Sequence, residues 1–224
     1  MIPEDKFINS SADLSCLVEA CGFLPFFRNP IPGLSVEEHT PARLWFADDL
    51  DGPWEWKGPV IRETGCAYGK FFRGKAGFIS REWAADFSNY RRDGYDFDAR
   101  CEDGLAGFRE KTVYGVLEQY PSLVSREWRK LSGIKERGIF DTVVTRLQMQ
   151  GYVVTSDFVY AEARDGRAYG WGLARYAVSE RFFGEEFSRR MYQRSPEESK
   201  KRMEEYLKGF LPHAAEKNIA FLIG

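Results

Sequence analysis

The spacing of apolar residues divides the chain into three stretches. Over 11–20 the period is helical: Leu14, Leu17 and Val18 share a face, Asp13 lies in the first turn, Ser10 or Ser11 can cap, and Gly22 ends the run. The segment 23–33 holds three prolines and predicts an irregular connection. Ser35 followed by Glu38 has the spacing of a capping box. From about 45 to 98 the period drops toward two. Residues 54–61 alternate and 68–79 do so more loosely, which predicts strands or extended segments, with Pro59 marking an edge or a break. Ser80 caps a short helix to Phe87, and 91–98 is polar and turn-rich enough to read as a loop.

From about 105 the helical period returns. Val113, Val116, Leu117 and Tyr120 form one stripe, closed by Pro121; a short helix runs from Ser125 to about Leu131. A third, 139–150, carries Ile139, Phe140, Val143, Val144 and Leu147 on one face. Two extended runs, 152–160 and 168–178, follow, and Asp165-Gly166 between them signals a hairpin. Three helices and a long hairpin, in that order and closely spaced, predict a winged helix. After Ser195, Pro196 and two early acids open a last helix, with Met203, Tyr206, Leu207, Phe210 and Leu211 inward. The expectation is an α+β chain in three parts: a mixed helical and extended aromatic-rich region over 1–104, a winged helix over 105–183, and a helical segment over 184–224 that packs on the body.

Composition narrows the function classes. With 32 basic and 34 acidic residues the net charge is −2 and the pI about 5.9, so the chain lacks the overall basic field of many nucleic-acid binders. Any such binding must use a local patch. No apolar run reaches the ~18 residues of a membrane helix, and the first residues, Met-Ile-Pro-Glu-Asp-Lys, do not read as a signal peptide. Four scattered cysteines and two histidines offer no zinc spacing, so no metal and no cofactor is expected. A reducing, cytoplasmic setting fits cysteines used as small core residues. Aromatics reach 16%, which suits either a crowded core or a stacking pocket.

The local patch lies in 126–146, where Arg126, Arg129, Lys130, Lys135, Arg137 and Arg146 outnumber Glu127, Glu136 and Asp141. If 139–150 is a recognition helix, its outward face carries Thr142, Thr145, Arg146 and Met149, and Arg164 and Arg167 at the hairpin tip add phosphate contacts. Duplex DNA is the expected partner; a charged face used for protein contacts is the alternative. The aromatic stretch before it offers Trp54, Trp56 and Tyr68 to stack on an extruded base. Lys57, Lys70 and Lys75 can steady phosphates, or one can form a Schiff base if desolvated. Glu55 and Glu63 are candidates for acid–base work. Asp93, Asp96 and Asp98 lack the spacing of a calcium loop and have arginines nearby to neutralise them.

Three features, Leu17-Val-Glu-Ala-Cys-Gly-Phe-Leu, Gly74-Lys-Ala-Gly-Phe-Ile-Ser-Arg-Glu-Trp and the hairpin, make the chain resemble the AlkZ-related proteins. These are similar in turn to the AlkZ/YcaQ-type winged-helix DNA glycosylases. The resemblance covers about 17–183. It implies a winged-helix protein associated with DNA and with lesion recognition. It does not carry the glycosylases' mechanism across. Where those enzymes place Gln-x-Gln or Gln-x-Asp, this chain has Pro25-Phe26-Phe27, and where they place Trp-x-His it has Arg73-Gly74-Lys75. Excision of alkylated or cross-linked purines by the family's own groups is therefore not expected, and burial of both Phe26 and Phe27 is.

Overall fold

Ser10 starts the first helix as read: its hydroxyl accepts the Asp13 N–H at 3.1 Å, opening α1 (Ser11–Cys21). The computed structural model describes residues 7–46, 51–162 and 168–224. After Gly22 the supposed connection contains a short strand, β1 (Phe23–Pro25). Ser35 and Glu38 form their capping box around the single turn α2 (Val36–His39).

The segment 54–61 is not extended, as its alternation predicts, but lies within α3 (Pro53–Thr64). Pro53 occupies its first turn, where a missing N–H costs nothing, and the Glu55 carboxylate accepts the Gly52 N–H at 3.0 Å. Its buried positions, Pro53, Trp56, Lys57, Val60 and Ile61, follow the helical period. A lysine in the middle of that inward face disguises the period as alternation.

β2 (Ala67–Phe72) and β3 (Lys75–Ile79) form a hairpin whose turn, Arg73-Gly74, has both φ angles positive, as a type I′ turn requires. The next helix, α4 (Arg81–Arg92), runs five residues past Phe87. The expected loop over 91–98 is replaced by a turn at Asp93 and by α5 (Phe97–Glu102), which Asp96 caps through the Ala99 N–H at 2.7 Å. Arg92 faces inward rather than toward the aspartates. It pairs with Glu180, donates to the Gly151 carbonyl at 2.7 Å and lies 4.3 Å from the Tyr152 ring centre. Burial opposes its charge, but the Glu180 carboxylate outweighs this and raises its pKa.

Beyond it come α6 (Phe108–Glu118), β4 (Leu123–Val124), α7 (Ser125–Leu131), α8 (Arg137–Met149) and the hairpin β5 (Val153–Glu162) and β6 (Ala168–Val178). The short α9 (Ser179–Phe183) and α10 (Glu185–Met191) lead to α11 (Pro196–Phe210), capped by Ser195 and Glu198, and to α12 (Glu216–Ile223).

All six strands of the described residues join one antiparallel sheet in the order β1-β3-β2-β5-β6-β4. Two hydrophobic cores lie along it. One gathers α1, α3, α4 and β1–β3 and is completed by Met203, Leu207 and Leu222 of α11 and α12; the other gathers 97–178 around Trp128, Tyr152 and Leu147. A single register pair, Tyr68 with Thr155, bridges them through the sheet. Gly77 permits the tight centre of the first half, since a Cβ there would lie 2.3 Å from the Phe72 ring and 2.7 Å from the Leu24 carbonyl oxygen. Among the described residues no helix is long and apolar enough to cross a membrane.

Candidate nucleic-acid interface

α7 and α8 stand against the hairpin because their apolar faces share one core: Trp128 packs at 5.3 Å on both Phe140 and Tyr176. Their polar faces are left outward, and the charge excess of 126–146 collects there. Two adjacent depressions result. One, of about 430 Å³, is lined by Lys70, Arg126, Arg129, Arg137, Asp141 and the β6 strand; the other, of about 550 Å³, is lined by Arg126, Arg129, Lys130 and Lys135. Arg126 and Arg129 are common to both, so they form one continuous basic surface. Among the described residues only Arg137 has an acid of its own there, Asp141 at 3.4 Å.

Lys70 arrives from a different element. β2 lies under α8, the Gln148 side chain accepts the Lys70 backbone N–H at 3.3 Å and donates to Thr155 at 3.2 Å, and the Lys70 ammonium donates to the Thr145 hydroxyl at 3.3 Å. Lys70 therefore belongs with the basic surface and not with the aromatic residues beside which the sequence places it. The outward threonines are less available than expected. Thr142 donates to the Gly138 carbonyl at 2.8 Å and Thr145 to that of Asp141 at 2.7 Å, leaving both hydroxyls only as acceptors. Arg146 is exposed but drawn to the buried Glu110 at 3.7 Å. Arg164 and Arg167 lie outside the described residues.

The aromatic stretch builds a second feature. Phe26, Phe27, Trp45, Trp54, Tyr68, Phe78 and Phe158 form one web of ring contacts, with centroids 4.8–6.4 Å apart. Phe26 and Tyr68 are buried and make its floor; Phe27, Trp45, Trp54 and Phe158 are half-buried and make its rim. Phe27 thus departs from the expected full burial, because it lies against the half-open faces of Trp45 and Trp54. Inside the web stands the Lys57 ammonium, 4.2 Å from the Phe158 ring centre and 4.9 Å from that of Trp54. Burial lowers its pKa to about 8, against a smaller opposing pull from Glu55. Burial likewise pushes the Tyr68 phenol up, so it stays neutral.

The other candidates scatter. Trp56 is a core residue of α3, away from solvent. Glu55 caps α3, while Glu63 accepts the Ser15 hydroxyl at 2.6 Å and ties α3 to α1. Lys75 is exposed at the start of β3. In the sequence nothing separates Lys57 from Lys70 and Lys75. What singles it out is its place in the inward stripe of α3, which the misread period concealed.

The chain belongs to the AlkZ-related family, whose pattern matches it over residues 8–224. No curated protein and no solved structure matches it.

Proposed function

We propose that the protein is DNA-associated and holds duplex phosphates on the basic surface of α7, α8 and β2. In this reading residues 105–183 act as a winged helix beside an N-terminal region over 1–104 and a helical segment over 184–224. The observation that carries it is the convergence of Lys70, Arg126, Arg129, Lys130, Lys135 and Arg137, from β2, α7, α8 and the connection between the two helices, on two joined depressions with one acid among the described residues of their lining. A chain of net charge −2 gathers such a surface only locally, and an anionic polymer is its natural complement. Membership of the AlkZ-related family supports a relationship to DNA glycosylases. The rings at Pro25-Phe26-Phe27 argue that lesion recognition here is served by an altered or absent catalytic set.

Contacts of this kind read charge rather than sequence: the outward face offers no Asn, and Arg146 is engaged by Glu110. Binding to duplexes of unrelated sequence should be similar and steeply salt-dependent. Replacing Arg126, Arg129 and Lys130 together by Ala should flatten the slope of log affinity against log salt by about 0.9 per lost contact, roughly 2–3 in all. Fluorescence anisotropy across a salt series measures this. A wild-type protein that fails to bind at low salt sinks the DNA reading. A protein-contact module would then take its place, a reading favoured by Phe108, which is 84% exposed beside an open groove lined by Ile139 and Val143.

A further inference from the structure

Among the described residues Lys57 makes no ion pair and no hydrogen bond, although it is only 9% exposed. A buried cation surrounded by rings loses most of its hydration and regains part through the ring faces, so such a site needs a reason to exist. Its position supplies one. Phe158 on the rim is the register partner of Ala174, which lines the basic surface, placing the two residues within about 5.5 Å across the strands. Tyr68 on the floor lies two residues along β2 from Lys70, about 7 Å. The ring-lined amine and the basic surface are therefore contiguous, and a strand held by its phosphates on Lys70, Arg126 and Arg129 would run past the rim.

We infer that the Lys57 amine is a nucleophile that captures an aldehyde carried on a DNA strand, the ring-opened C1′ of a deoxyribose that has lost its base. This rests on the duplex-binding reading above. The Nζ lone pair attacks C1′, the carbonyl π pair moves to oxygen and takes a proton, and the resulting carbinolamine loses water as nitrogen gives up a proton, leaving an imine. Atoms balance as amine plus aldehyde to imine plus water, with no oxidant or co-reactant. An apolar surrounding favours the amine on which attack depends. Near pH 8 about half of Lys57 is free base, against roughly 0.3% of a solvated lysine. Displacing an intact base would instead need an acid for the leaving group, and the nearby Glu55 is held at the cap of α3. A base-less sugar is also smaller than an intact nucleotide, which matters for an amine with ring centres 4.2–6.0 Å away.

The test is borohydride trapping of the full chain on a duplex with one abasic site, with anisotropy on the same duplex run in parallel. Borohydride reduces an imine to a stable secondary amine, and peptide mass spectrometry locates it. The expected result is an adduct on Lys57 that is lost in Lys57→Met and Lys57→Arg while both variants still bind the duplex. Binding without an adduct, or an adduct retained by both variants, overturns this inference and leaves the DNA reading standing. Absence of duplex binding overturns both, even if free 2-deoxyribose 5-phosphate labels Lys57.

Discussion

Lys57 also makes a prediction about stability that does not depend on any ligand. In the unfolded chain a lysine keeps its proton up to about 10.5, whereas in the fold Lys57 loses it near 8. Below pH 8 both states are charged and folding carries the full desolvation penalty, at most about 3 kcal/mol, part of which the Trp54 and Phe158 rings offset. Between pH 8 and 10.5 the folded state sheds its proton first and the penalty fades. Lys57→Met should therefore raise stability in urea titrations at pH 7, with the gain shrinking toward zero by pH 10.5. A gain that does not vary with pH would mean that packing, and not charge, is responsible. At the same scale Arg92 is the opposite case, a buried cation with its partners in place. Arg92→Met removes the donor to Gly151 and strands Glu180, and should cost about 3 kcal/mol, the lower end for a broken buried pair, because Glu180 is partly solvated. Equilibrium unfolding checks this; a loss below about 1 kcal/mol, the range of an exposed pair, would contradict it.

At the scale of elements, those whose signals are local were legible and those whose signals are shared were not. Ser10, Ser35 and Ser195 mark helix starts through hydrogen bonds three residues away, and all three hold. α3 looks extended in the sequence because Trp54 and Trp56 resemble one face of a strand, whereas Trp56 enters the core and Lys57 follows it inward. α4 was cut short because Arg91 and Arg92 look like loop charges, although Arg92 is fully buried. Two-residue β4 leaves no periodic signal at all; it exists because Leu123 and Val124 meet Tyr176 and Arg175 of β6. Gly77 gives a direct test of strand packing. Gly77→Ala must push aside the Phe72 ring or the β1 backbone, and overpacking of that sort costs about 1–3 kcal/mol. A lowered thermal midpoint with unchanged duplex binding is the expected outcome, since Gly77 lies on the far side of β2 from β5.

The whole molecule is a sheet shared by two cores, and this is where sequence reading stops. The helices and hairpin of 105–183 could be read in order because each follows closely on the last. Their junction with the first half could not, because it is made by residues far apart in the chain, among them Tyr68 with Thr155, Gln148 bridging Lys70 and Thr155, and Arg92 with Gly151. The candidate interface divides in the same way. Arg126, Lys130 and Lys135 were visible as a run of charge, whereas Lys70 joins them only through the packing of β2 under α8. Arg146, read as a phosphate contact, turns to Glu110, a residue of α6 that its own helix does not reveal. Arg146→Ala should accordingly change the salt slope of duplex binding by less than the ~0.9 of a full phosphate contact, and anisotropy with this single variant measures it.

Ribosomes deliver a chain from its N-terminus at roughly 5–20 residues per second, and the location of α11 and α12 sets what such a chain can finish, and when. The core around α1, β1–β3 and α4 needs Met203, Leu207 and Leu222, all of which follow Val178 in the chain. The buried apolar residues of the other core all lie within 97–178. A growing chain can therefore close its second core while the first, made earlier, still exposes the face of α4 that receives α11. The portion synthesised first is completed last, and it is the portion most dependent on protection during translation.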